Sequence, residues 1–208
     1  FNTSWTEQVV LHYKDEGGPE YVCEMFDKMI TFFASIAIGI IVCIPLIFTI
    51  IVNESFTEAY GLIPWYMIAV FFNAVIGMIS AIYLVENETK QVAFSTMAAA
   101  VINVVVDFAL VNQIGMYAAP ISSICGYMAI SFWRLWDVNK RHCRITMSRK
   151  KLLLLIVMLA TAIASYYSRK IWAEVAGLIF VAAVALALNY RFLMEFAGMF
   201  RKERGESK

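Results

Sequence analysis

Six runs of apolar residues, each close to the length of a bilayer-crossing helix, divide the chain. They cover residues 29–52, 62–85, 92–111, 116–136, 152–167 and 171–193. A hydrocarbon core of about 30 Å needs roughly 20 apolar residues in helical form, so only 152–167 is somewhat short. Inside such a run the backbone has no water to bond to. Without the alternation of barrel strands, helices are the consistent reading. The polar breaks at 53–61, 86–91, 112–115 and 168–170 are brief, and only 138–151 is long. Brief connections make consecutive helices antiparallel neighbours. The pattern predicts an all-α, polytopic transmembrane helix bundle of six spans.

Residues 9–27 are polar and interrupted by Gly17-Gly18-Pro19. The stretch around Trp5, Val9, Val10 and Leu11 is too short to span. It reads as the end of a truncated helix or, alternatively, as an interfacial helix. The chain begins with Phe1 rather than Met, so it reads as a fragment or trimmed product; separately, no basic segment leads into an apolar one at its start, so no signal-peptide pattern is read there. The expected organisation is a truncated helix and cytoplasmic linker at 1–28, four transmembrane helices over 29–137, and a basic loop at 138–151. Two further helices over 152–193 and a tail at 194–208 complete it.

Composition narrows the class. The 208 residues are 61% apolar and 16% charged, with a mean hydropathy of +0.70, which excludes an ordinary soluble domain, a disordered tail and a disulfide scaffold. A net charge of +1 gives no basic field for nucleic acid. Cys23, Cys43, Cys125 and Cys143 have no CxxC spacing and read as small apolar residues rather than a disulfide frame or a metal site. Charge distribution sets the orientation. With six spans, fifteen of the seventeen Lys and Arg residues fall on one side and only Arg169 and Lys170 on the other. The basic loop and the tail are therefore expected in the cytoplasm. The basic loop also suits anionic lipid or nucleotide, although the topology signal alone accounts for it. Trp65, Tyr66, Tyr166, Tyr167 and Trp172 mark the outer interface, Trp133 and Trp136 the inner one. Of the sequons at Asn2, Asn53 and Asn87, only Asn53 lies on the outer side.

Small residues recur every fourth position: Ser35, Gly39 and Cys43; Ala69, Asn73, Gly77 and Ala81; Ser122 and Gly126. Such stripes let helix backbones approach in lipid. Pro45, inside the first span, removes a helical bond and predicts a kink. The third span is the most informative. Ser95, Ala99, Asn103 and Asp107 share one face, and Asp107 is the one acid well inside a span. A charge at helix centre costs about 2.5–3.5 kcal/mol on insertion scales, so this face should look into protein or water. Asp107, Asn103 and Asn73 are thus candidates for a substrate or ion pathway. A structural pairing of Asp107, or a place near the outer interface, competes with that reading. His12 and His142 lie in polar segments, without a nucleophile elbow, a phosphate-cradling glycine loop or a zinc cluster around them. The sequence therefore points to no enzyme, no cofactor and no metal.

The stretch from Asn103 through Asp107, Leu110 and Gly115 to Ala118-Ala119 resembles the helix–turn–helix signature of polysaccharide flippases, in the multidrug/oligosaccharidyl-lipid/polysaccharide exporter superfamily. The segment from Tyr127 to Arg134 is similar to that family's aromatic, Arg-bearing helix end before a basic loop. Pro64 resembles its Pro-bearing helix start, Glu88-Thr89-Lys90 its inner turn, and Ser4-Trp5 the end of an earlier helix. The likeness covers residues 1–151, while the last two spans fit by position only. It implies the second lobe of a two-lobe transporter plus two extra C-terminal helices. It also implies flipping of a lipid-linked oligosaccharide across the bacterial inner membrane by alternating access. The partners would be that lipid, membrane lipids and a missing N-terminal lobe, with no nucleic acid. One departure stands out: no Lys or Arg lies mid-span to hold a diphosphate. Anionic headgroups would fall to the missing lobe, or to Lys14 and Arg134 near the inner face. A drug/cation antiporter of the same superfamily, a membrane-embedded transferase or polymerase, and a scaffold subunit are the competing readings.

Overall fold

A computed structural model describes residues 2–51, 57–145 and 147–206. Every regular element among them is helical. The order is α1 (Asn2–His12), α2 (Gly18–Ile51), α3 (Thr57–Tyr60), α4 (Ile63–Val85), α5 (Thr89–Ile114), α6 (Ala118–Arg141), α7 (Arg149–Ser168) and α8 (Ile171–Glu206). Five helical stretches are long and apolar enough to cross a membrane: Gly18–Phe48, Ile63–Val85, Thr89–Arg141, Arg149–Ser168 and Ile171–Glu195. The expected six runs differ from these because 92–111 and 116–136 belong to one stretch. That stretch folds back at Gly115, whose φ of 57° is open to glycine. A single 3-10 turn over Gly115–Tyr117 then leads into α6.

The chain forms two compact units. The first comprises residues 1–27 and 47–146, and the second 28–46 and 147–208. In the first, α4, α5 and α6 pack together with α1 against α4. The Trp5 indole N–H donates to the Met78 carbonyl at 2.9 Å, and Trp5 and Val9 are buried. Of the helix end and linker expected at 1–28, the helix is present as α1, which packs and ends at His12, and the linker is short, since α2 already starts at Gly18. Three residues make the turn between them. Gly17 takes a φ of 77°, a Cβ on Gly18 would collide with the His12 carbonyl, and Pro19 fits the first turn of α2. Phe26, Met78, Ile79, Ile82, Tyr83 and Val138 fill the core.

Two of the sequence stripes mark different things. At Gly126 an added Cβ would come within 2.9 Å of the Ala99 carbonyl, so α5 and α6 meet there backbone to backbone. On α4, Ala69 and Ala81 are buried but Asn73 is exposed, so that stripe is not one packed face. In the second unit, residues 28–46 of α2 lie with α7 and α8. Asn189 Nδ2 donates to Ser35 Oγ at 2.9 Å, Lys28 pairs with Glu195 at 2.9 Å, and Phe32 packs on Phe192. Gly39 has nothing within 4 Å of a built Cβ, whereas Gly177, outside the expected stripes, would meet the Ser165 side chain. The helix continues through buried Pro45 to Ile51.

Cysteine usage is a correction. Cys23 and Cys143 form a disulfide with their Cα atoms 6.3 Å apart, while Cys43 and Cys125 are free. The separation of 120 residues hid the pairing from any spacing rule. The loop at 138–151 and the tail at 194–208 are also shorter than expected, since α6 runs to Arg141, α7 starts at Arg149 and α8 extends to Glu206. The Asn53 sequon lies outside the described residues.

Candidate functional site

The polar face of α5 grades from closed to open. Ser95 and Ala99 are buried, and Asn103 and Asp107 are half-buried. The Ser95 hydroxyl donates to the Gln91 carbonyl one turn back at 2.7 Å. Asn103 Nδ2 donates to Ser123 Oγ of α6 at 3.1 Å, and that hydroxyl donates in turn to the Ala119 carbonyl at 2.9 Å. Asp107 follows one turn later. It lies seven residues before the end of α5 at Ile114, about 10 Å along the axis at 1.5 Å per residue. On the rest of α5, Phe94, Met97, Val101, Val104, Val105 and Phe108 are all exposed. The Asp107 carboxylate is therefore carried by a helix whose apolar side chains are largely uncovered within its unit. Asn73 sits exposed on α4 and does not take part in the Asn103–Ser123 arrangement. Lys14 is exposed in the connection between α1 and α2.

Arg134 is the largest departure from expectation. Instead of lining an inner rim, its side chain is 0% exposed. The Nε group donates to Ser95 Oγ at 2.9 Å. Nη1 donates to Ser80 Oγ at 2.7 Å and the Ile76 carbonyl at 3.3 Å. Nη2 donates to Ser95 Oγ at 2.6 Å, the Val92 carbonyl at 3.0 Å and Thr96 Oγ1 at 3.0 Å. All five N–H groups of the guanidinium are thereby engaged. Every acceptor is neutral, and together they draw in α4 and α5 around α6. Beside this knot, a cleft of about 330 Å³ opens between α1, α4 and α5, with Thr6, Ser80 and Thr89 among its walls. Ser131 adds a bond from α6 to the Phe72 carbonyl at 3.2 Å.

At the end of α6 a second polar group gathers. The Tyr83 hydroxyl donates to Asp137 Oδ2 at 2.7 Å. The Arg141 Nε donates to Asp137 Oδ1 at 2.8 Å, its Nη2 also contacts that carboxylate, and its Nη1 donates to Glu88 Oε1 at 2.8 Å. The His142 ring stands between Glu86 and Glu88 of the α4–α5 turn, at 3.7 and 3.6 Å. Burial pushes the Tyr13 phenol above its ordinary range, and its hydrogen bond with Glu86 pushes the same way. The i, i+4 spacing of Asp137 and Arg141 was the one trace of this cluster in the sequence. The turn at Glu86–Glu88 meets His142 only through the fold.

Among the described residues no cluster of His, Cys, Asp and Glu is placed to hold a metal ion. No family model matches the sequence, and no curated protein and no solved structure matches it.

Proposed function

We propose that this chain forms one lobe of a membrane exporter of the polysaccharide flippase kind, moving a lipid-linked oligosaccharide across the bacterial inner membrane by alternating access. The observation that carries the reading is the α5 face, where Asp107 is half-buried beyond the Asn103–Ser123 bond on a helix otherwise lined by exposed apolar residues. Exposure to lipid would be costly for that carboxylate, so the face suits a water-filled cavity completed by another lobe. In this reading α5 and α6 each cross the bilayer, which gives six passes, and the resemblance around Asn103–Ala119 supplies the substrate class. Transporter cavities lie at the interface between repeats, so the chain alone supplies half of one. An acid at 107, where the family often has Asn, favours a second reading, a cation-coupled antiporter of the same superfamily.

The test is Asp107→Asn in the full-length protein, reconstituted in liposomes with a lipid-linked oligosaccharide. The amide keeps the shape and removes the charge. Flipping should fall about tenfold, equivalent to about 1.4 kcal/mol on the rate-limiting step, while detergent melting stays unchanged. Full flipping by the variant would remove Asp107 from the pathway. A proton- or cation-dependent flux of a small drug, with no flipping, would favour the antiporter.

A further inference from the structure

We propose that the end of α6 holds an anionic phospholipid of the bilayer, with Lys140 and Arg144 on the headgroup phosphate and Phe132, Trp133 and Trp136 beside the upper acyl chains. The assignment rests on the reading in which α6 crosses the bilayer.

Along the last turns of α6, Phe132, Trp133, Trp136 and Lys140 are all exposed. Their spacing of three and four residues sets them on one face. Trp136 and Lys140 are one turn apart, about 6 Å along the axis. The polar layer on each side of a hydrocarbon core is roughly 5–8 Å deep. With Trp136 at the hydrocarbon edge, where its amphipathic ring is favoured, Lys140 therefore comes level with the phosphates. Phe132 lies one turn deeper, among the acyl chains. The Lys140 Nζ stands over the Trp136 ring, 5.2 Å from its centre, which holds the ammonium beside the stripe.

The segment after the helix is pinned. Cys143 is bonded to Cys23, the Ile145 N–H donates to Asn139 Oδ1 at 2.7 Å, and Cys143 and Ile145 are both buried. Arg144 between them is exposed, so a fixed backbone presents its guanidinium to the outside. A topology signal needs only a count of basic residues, not a basic side chain held in this way. Arg141 is committed to Asp137 and Glu88, and Arg134 is buried. Among the described residues, neither Lys140 nor Arg144 has a carboxylate partner. Both are thus open to a ligand, and a phosphate suits both, the arginine through two parallel N–H bonds. The carboxylates of Asp137 and Glu88 already serve Arg141, so the ammonium of a zwitterionic headgroup gains no partner from them. A headgroup of net negative charge is favoured. The negative end of the α6 dipole opposes an anion, so the attraction comes from these two side chains and is sensitive to their removal.

The experiment is native mass spectrometry of the full chain in neutral detergent, titrated with phosphatidylglycerol, phosphatidylcholine or inorganic phosphate. A basic residue near an anionic lipid surface is worth about fivefold in binding, so two should make phosphatidylglycerol bind about 25-fold tighter than phosphatidylcholine. Lys140→Gln with Arg144→Gln should abolish that preference. Arg149→Gln with Lys150→Gln, which removes the same charge from the start of α7, should keep it within about twofold. Trp136→Leu should weaken phosphatidylglycerol by about two- to fivefold. Circular dichroism establishes that each variant is folded. Should the first pair fail to fold, Arg144→Gln alone should lose about fivefold. Equal losses in the two pairs would mean general basicity and overturn the site, and so would equal binding of the two lipids. Inorganic phosphate displacing phosphatidylglycerol at equal concentration would assign the two cations to a soluble anion instead. In vesicles, quenching of Trp133 and Trp136 by brominated phosphatidylcholine reports the place of α6 in the bilayer separately. Quenching without a headgroup preference would leave the crossing standing and remove the site. No quenching would remove the crossing, and the site with it.

Discussion

Replacing Arg134 by lysine should harm this protein more than replacing it by methionine, although lysine keeps the charge. The reason lies in donor count. Arginine presents five N–H groups in a fixed fork, and lysine three on a single nitrogen. The five are spread over Ser80, Ser95, Thr96 and the carbonyls of Ile76 and Val92, which one ammonium cannot span. At the low end of the range for bonds to a charged group, about 1.5 kcal/mol each, two lost donors cost about 3 kcal/mol. The charge stays buried and less well solvated. Methionine removes the charge and so its desolvation penalty. The hydroxyls it leaves behind keep partners of their own. Ser80 still donates to the Ile76 carbonyl at 2.8 Å, Ser95 to that of Gln91 at 2.7 Å, and Thr96 to that of Val92 at 2.8 Å. No donor is orphaned, and the cost should stay near 1–2 kcal/mol, a packing-scale loss. The assay is thermal melting of the purified chain in one detergent for the three proteins, with circular dichroism to establish that each is folded. A lysine variant as stable as the parent, with methionine far below it, would show that positive charge rather than the hydrogen-bond fork holds α4, α5 and α6 together.

Gly126→Leu should force α5 and α6 apart at the Ala99 carbonyl and lower stability by about 1–3 kcal/mol. Gly39→Ala should be neutral or gain up to about 1 kcal/mol, because nothing lies within 4 Å of the added carbon; detergent melting of the pair decides both. Cys143→Ser should destabilise the chain. The chain-entropy estimate for a loop of this order is about 4.7 kcal/mol, and the measured loss should be smaller because membrane-held helices leave less freedom to remove. Melting with and without reductant, beside thiol counting by mass, measures it, and equal melting in both conditions would contradict the pairing of Cys23 with Cys143.

Apolar run length made the helices legible. The bounds of α4 at Ile63–Val85 lie within one residue of the sequence reading, because proline at its start and the polar turn after it punctuate both ends. Polar stretches misled at two places. Residues 18–28 and 142–151 look like loops by composition, yet α2 and α7 extend into them, since a helix near a membrane surface tolerates charge. The α5 face was readable because four-residue spacing alone defines it. The surroundings of Arg134 were not, because its acceptors are serine, threonine and carbonyl groups on two other helices, none of which marks itself as an arginine ligand. The same holds for His142 and its two glutamates, 54 and 56 positions upstream in the chain, and for the Cys23–Cys143 bond.

If α6 crosses the bilayer as proposed, the burial of Arg134 separates how that helix enters from how it finally rests. Alone in the membrane, a helix carrying this arginine beside Trp133 and Trp136 would let the long side chain reach for the nearer water edge. Settled in place, the same guanidinium lies among hydroxyls and carbonyls of α4 and α5. Both of those helices are synthesised before α6, so its acceptors are already threaded when it arrives. Biogenesis would then proceed by lateral docking of a finished hairpin arm, in which an arginine exchanges lipid-edge water for protein oxygens. The same reach could be reversed by any event that parts α5 from α6.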